Sequence, residues 1–249
     1  PRAMSSTTHT NELIEAYRTA TLKEAEKIVL EDFPLKVGEF NQLLTSDRFS
    51  WKRLPNILPD VSLDIPHPND DHKDQGDGAP AAKRKRTNGE VNGKAEAAYY
   101  NGNVPSNKEL CELMNEIRPK IRDAVENMNK LKMWITLMIP RIEDGNNFGV
   151  SIQEEALSEV RTVEGEAASF LDQLSRYYVG RAKLLTKVVK YPGVDDYRLA
   201  ILDMDEKQFV NIRLVLTELR NHFATLYDMI TKNLEKIKKP RNSNHENMY

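Results

Sequence analysis

Disulfide chemistry is the first thing this chain lacks: its 249 residues include one cysteine, Cys111, so no bridge can close within it. That usage points to an intracellular, reducing compartment. Aromatic residues are scarce at 7%, and 11 glycines with 12 prolines leave little material for elaborate loops. Such a balance argues against a compact α/β enzyme and suits long, solvated helices. No apolar run approaches the roughly 20 residues that span a bilayer, and the N-terminus carries no signal-peptide core. Neither sign of charge dominates. With 36 basic residues against 38 acidic ones the formal charge is −2, so nothing global recruits nucleic acid or an anionic membrane.

Recognisable catalytic chemistry is missing too. There is no Gly-x-Ser-x-Gly, no phosphate-cradling glycine loop and no nucleophile with a plausible base. The histidines are His9, His67, His72, His222 and His245, whereas di-iron bundles need Glu-x-x-His on facing helices. Glu218 and His222 come closest, but they stand one residue too far apart and off the apolar rows. They read as a surface i,i+4 contact. The expectation is no metal, no cofactor and no catalytic residue.

What the chain does have is charge, 30% of it, laid around long apolar heptads. Pro1-Arg2-Ala3 ahead of Met4 reads as a cloning remnant, and 1–10 as a disordered N-terminus. A first helical segment is expected over 11–54, with Leu13, Ile14, Tyr17, Ala25, Ile28 and Val29 on one side. Pro34 and Gly38 should bend or break it. A second segment runs from about Ser106 to Ile139. Leu110, Ile117, Ala124, Leu131 and Met138 share one heptad position, and Met114, Ile121, Met128 and Ile135 another. Pro119 predicts a local kink, and Ser106-Asn107-Lys108-Glu109 a capping box.

The third segment opens on a similar box, Ser151-Ile152-Gln153-Glu154, and ends near Tyr191-Pro192-Gly193. Glu164 and Arg181 interrupt its seam, either marking a face that meets a neighbour or a lumen, or snorkelling. The fourth starts at or before Asp205 and runs to about Lys239, with Phe209, Leu216, Phe223, Ile230 and Ile237 in one row. Rods of about 35 residues, roughly 50 Å long, predict an all-α, elongated four-helix bundle. Helices two to four occupy 105–239.

Between them, 55–104 loses the pattern to Pro, Gly, Asn, Asp and Lys, and reads as a flexible linker. Within it, Lys83-Arg84-Lys85-Arg86 is either a nuclear-import signal or ordinary linker charge. At the far end, Lys232, Lys236, Lys238, Lys239 and Arg241 give more cations than a helix dipole requires, which suggests an acidic partner surface. Pro240 stops the helix, and 240–249 forms a polar arm ending in Asn247, Met248 and Tyr249. Such an end is either a frayed terminus or an arm whose carboxylate a basic pocket captures.

The most specified stretch is the loop over 140–150. Pro140-Arg141-Ile142-Glu143-Asp144-Gly145-Asn146-Asn147-Phe148-Gly149-Val150 sits between two apolar heptad patterns. Its glycines permit unusual backbone angles, and Phe148 is expected to pin it by packing. A turn so specified reads as a contact surface. On residues alone, the bland alternative for the whole chain is a non-enzymatic helical scaffold or adaptor.

This loop resembles the activation loop of the REG-type (11S) proteasome activators. The likeness extends to Leu63-Asp64-Ile65-Pro66-His67-Pro68, to Leu234-Glu235-Lys236-Ile237-Lys238-Lys239-Pro240-Arg241 and to the terminal aromatic. Phe170-Leu171-Asp172-Gln173-Leu174-Ser175-Arg176-Tyr177-Tyr178 and the Lys83 to Arg86 cluster are similar to the gamma branch, which is nuclear. The resemblance implies a ring of seven four-helix subunits seated on the 20S core proteasome, acting without ATP and without catalysis of its own. It implies that the tails enter pockets of the α-ring while residues 141–149 hold the gate open. Localisation would be the nucleus, with the cytoplasm second. Gly193 departs from the family pattern, where a bulkier residue is usual, and implies a looser connection there.

Overall fold

The computed structural model describes residues 2–58 and 104–241, with side chains from residue 11 onward. Among the described residues every regular element is helical: α1 (Arg2–Lys27), a wide π turn (Ile28–Asp32), α2 (Phe33–Thr45), two short 3-10 turns, α3 (Leu54–Ile57), α4 (Lys108–Met138), α5 (Phe148–Lys190) and α6 (Asp195–Lys238). None of these helices is long and apolar enough to cross a membrane. The first rod, α4, α5 and α6 form the four-helix bundle expected from the heptads. Two of them exceed expectation, since α6 spans 44 residues, roughly 66 Å at 1.5 Å per residue.

The apolar rows explain why these rods pack. All nine row positions of α4 are buried except Met138, and the α6 row from Phe209 to Ile237 is at most 1% exposed. In α5 the apolar positions divide: Leu157, Val160, Ala167, Leu174 and Val188 are buried, while Leu171, Tyr178 and Leu185 are only half-buried. Phe223 is the aromatic centre, edge-on to Phe33 at 4.9 Å and stacked on Phe40 at 5.8 Å. Burying one such ring stabilises the fold by about 1.5–3 kcal/mol. Ion pairs lace the first rod to α4 through Glu24–Lys130, Lys36–Asp123, Glu39–Lys120 and Arg48–Glu116. Each exposed pair adds at most about 1 kcal/mol.

Several local expectations are corrected. Helix α1 begins at Arg2, inside the stretch read as a disordered N-terminus. No proline or glycine lies between Arg2 and Lys27 to stop it. Pro34 does not break the rod, which passes through the π turn directly into α2. The Phe33 amide donates to the Ile28 carbonyl across the π turn, and a wide turn accommodates the proline ring that would clash in a tight α-helix. Gly38 lies inside α2 with open space around it. Pro119 leaves α4 continuous. The cap of α4 is Asn107, whose Oδ1 accepts from the Leu110 amide at 3.2 Å, and not Ser106. Leu13, Ile14 and Tyr17 are 53–62% exposed, so the early part of the α1 stripe is left largely uncovered by the described residues.

The connection at Gly193 is not loose. The Val194 amide donates to Tyr191 O at 3.1 Å, and Arg198 donates to Pro192 O at 2.6 Å.

Candidate functional site

Helix α4 ends at Met138, and the loop after it has a defined shape. Gly145 (φ 84°) and Asn146 (φ 30°) adopt the left-handed region, which glycine and asparagine tolerate best. Helix α5 then starts at Phe148, three residues before the capping box expected from sequence. Ser151 therefore lies in the first turn, where its hydroxyl donates to Phe148 O at 2.7 Å. Asn147 occupies the cap position without a capping bond of its own.

Phe148 does not pin the loop. It is 71% exposed, and Ile142 is fully exposed. The pin is Arg241, a hundred residues away in sequence. Its Nη1 donates to Arg141 O at 3.0 Å and to Glu143 Oε2 at 3.0 Å. Its Nη2 donates to Asn147 Oδ1 at 3.1 Å. Glu143 also pairs with Arg141, so its carboxylate sits between two guanidinium groups.

Below this clamp the ends of three helices converge. A Cβ on Gly149 would fall 2.0 Å from Pro240 O, so only glycine lets the start of α5 meet the backbone just past α6. Gln153 is wholly buried. It donates to Met138 O at 2.9 Å and Ile237 O at 2.7 Å, tying the last turns of α4 and α6 to α5. Sequence had assigned Gln153 to the cap. The usable signal was a polar side chain at a core-facing position of a helix start.

The basic helix end divides. Lys238 pairs with Glu26 of α1 at 3.0 Å, and Lys232 with Asp228 at 2.6 Å. Lys236 and Lys239 make no ion pair among the described residues. The tail residues Asn247, Met248 and Tyr249 and the basic run Lys83, Arg84, Lys85 and Arg86 lie outside the described residues.

At the other end of the bundle is a polar knot that sequence did not reveal. Asp205, with no exposure, accepts from Tyr177 Oη at 2.8 Å, Arg181 Nε at 3.0 Å and Asn107 Nδ2 at 3.0 Å. Asn107 also donates to Ile57 O at 2.8 Å. Burial, together with the Asp205 carboxylate, pushes the Tyr177 phenol well above its ordinary range. Arg181 is thus a buried ion-pair partner; it does not snorkel. The other seam charge, Glu164, pairs with Lys132 of α4 at 2.7 Å.

One trio among the described residues could hold a metal ion: Glu166, Glu218 and His222, with donor atoms within 4.8 Å of one another. His222 Nε2 faces Glu166 of α5 at 2.8 Å, so its ion-pair partner is not the Glu218 expected from the i,i+4 spacing. This trio is remote from the loop.

Two family models match the chain: Proteasome activator PA28, N-terminal, over residues 8–70, and Proteasome activator PA28, C-terminal, over residues 103–247. The chain belongs to the PA28 proteasome-activator family. Loop, clamp and the tail as far as Asn247 fall within the C-terminal PA28 match, Met248 and Tyr249 lie just past it, and Lys83 to Arg86 fall between the two matches. Proteins described as proteasome activator complex subunit 3 from Gallus gallus and Homo sapiens are each 45% identical over 241 residues, covering 95% of this chain and 94% of theirs. The 11S subunit of the Plasmodium falciparum proteasome, PA28, is 32% identical with a TM-score of 0.70, covering 94% of this chain and 95% of that one. A chain from the archaeal 20S proteasome in complex with mutated P26 activator shares the PA28 fold at 15% identity. Its TM-score is 0.63, with 93% of this chain and 96% of that one covered.

Proposed function

We propose that this PA28 chain is one subunit of a ring, seven copies around, that activates the 20S core proteasome without ATP. The tails, ending in Asn247, Met248 and Tyr249, dock in pockets of the α-ring, and residues 141–149 hold its gate open for peptides to pass. The subunit is not itself an enzyme; the hydrolysis belongs to the proteasome. The observation that carries this reading is the joining of loop and tail base by Arg241. It presents the exposed Ile142 and Phe148 on the same end of the bundle from which the tail departs.

Physical chemistry supports a ring over a lone subunit. One short tail binds with a Kd of about 1 mM, or about −4 kcal/mol. Several tails on one rigid body gain by effective concentration. Head-to-tail contacts between like subunits close into rings, and the uncovered Leu13, Ile14 and Tyr17 offer an apolar face for the next copy. The loop then has only to favour the open gate over the closed one, since an equal affinity for both states shifts nothing. Lys236 and Lys239 are left to face an acidic surface. Lys83 to Arg86 serve as the import signal of a protein found in the nucleus, with the cytoplasm second.

One experiment tests the reading. The purified ring is mixed with 20S core particles, and co-sedimentation and hydrolysis of short fluorogenic peptides are followed. The full chain should bind and stimulate. Removal of Met248 and Tyr249 should abolish both while leaving the oligomer intact. Normal co-sedimentation of the truncated ring would show the tail to be misassigned, and a full chain that neither binds nor stimulates would favour the scaffold alternative.

A further inference from the structure

We infer that Arg241 is a positioning residue that joins the tail base and the activation loop into one mechanical unit, so that docking of the tail also fixes where the loop presses. The inference rests on the activator reading and adds a coupling between its two parts.

Three observations carry it. The first is where the guanidinium reaches: Arg141 O near the start of the loop, Glu143 Oε2 in its middle and Asn147 Oδ1 at its end, all at 3.0–3.1 Å. A planar fork can hold several oxygens at once, whereas a lysine ammonium is a single point charge. The second is what the loop lacks. Its two large apolar side chains, Ile142 and Phe148, are 100% and 71% exposed, so packing of those side chains does not hold its shape. The third is the rigidity beneath. Pro240 O lies 2.0 Å from where a Gly149 Cβ would be, and Gln153 spans Met138 O and Ile237 O. The residue before Arg241 is thereby locked against the first turn of α5. Displacement of the tail base is passed to α5 through backbone contact and to the loop through Arg241. A loop freed from the clamp would still arrive at the gate with the docked tail, but without a fixed shape.

The test uses full-length rings carrying Arg241→Ala or Arg241→Lys. In the free rings, amide hydrogen exchange over residues 141–147 should quicken roughly tenfold in the alanine variant, as several charge-assisted hydrogen bonds are lost together. The lysine variant should fall between it and the parent. With core particles, the alanine ring should bind within about threefold of parental affinity, because its docking end is unchanged. Peptide hydrolysis at saturating ring should nonetheless fall by roughly tenfold, since loop order is what biases the gate. Unchanged loop exchange in Arg241→Ala would overturn the inference. So would full stimulation by that ring, or a loss confined to affinity, which would place Arg241 in the docking contact. If the parent ring neither binds nor stimulates, the activator reading fails, while the exchange measurement still reports whether Arg241 orders the loop.

Discussion

Around Tyr177 and Arg181 the bundle is held by charge taken out of water; around Phe148 and Gly149 it is held by backbone contact and one half-buried arginine reaching over an exposed loop. The two regions are turns of the same helix, α5, separated by roughly 50 Å. In the first, Asp205 collects donors from α5 and from the start of α4, and Asn107 passes the grip to Ile57. A buried network of this kind specifies a single arrangement and penalises any partial loss. In the second, the acceptors of Arg241 can exchange protein for water at small cost, so shape is held without being frozen. The difference assigns distinct tasks. The Asp205 end anchors the chain on either side of residues 59–103, and under the proposed activator reading the loop end keeps a working surface ordered and able to adapt.

The largest effect expected from breaking this contrast is at the buried end. Asp205→Ala would leave Arg181 in the core without its partner, and such half-broken pairs cost about 3–5 kcal/mol. Thermal unfolding should move down by roughly 10 °C for a chain of this length. A loss below about 1 kcal/mol, the range of exposed pairs, would mean that water reaches Arg181 and that the two ends do not differ in kind.

Gly149→Ala probes the loop end through its backbone. The added methyl group would meet Pro240 O, C and Cα at 2.0–2.6 Å, none of which can swing aside like the tip of a side chain. Overpacking of this sort costs about 1–3 kcal/mol. The start of α5 should separate from Pro240, and loop exchange should quicken along with the loss of stability. That combination distinguishes this variant from Arg241→Ala, in which the loop loosens and the bundle does not. A Gly149→Ala protein with parental melting and parental loop exchange would remove the backbone contact from the account.

The bundle was legible in sequence because its heptad rows are long: every α6 row position from Phe209 to Ile237 is buried as the spacing requires. The loop was legible as an interruption between two such rows. Its fastening was not, because Arg241 lies a hundred residues from Arg141 and looked like one cation among several at a helix end. Phe148 was misjudged for a related reason, since an apolar residue in a polar turn can either pack or present itself, and local sequence does not decide which. Asp205 escaped because periodicity registers apolar positions, and a buried carboxylate looks like an ordinary charge until its donors arrive from other helices. The two caps were displaced by competition. Asn107 can accept from a helix amide and donate to Ile57 and Asp205 together, and Ser151 was already inside a helix that begins at Phe148.

The smallest effect should come from the glycine at the opposite end of α5. Gly193 was read as loosening its connection, yet the turn is fastened by Val194 to Tyr191 and by Arg198 to Pro192. A Cβ on Gly193 would meet nothing within 4 Å, and its backbone lies outside the left-handed region. Alanine there would restrict the unfolded chain without crowding the folded one, a change that stabilises by about 0.4–1 kcal/mol. Thermal unfolding should rise by roughly 1–4 °C, with peptide stimulation unchanged because neither loop nor tail base is touched. The same Gly→Ala exchange would then have opposite signs at the two ends of one helix. Backbone contact at Gly149 and open space at Gly193 account for that reversal. A destabilised Gly193→Ala protein would show instead that the turn needs glycine for its conformation and that the fastening by Arg198 does not suffice.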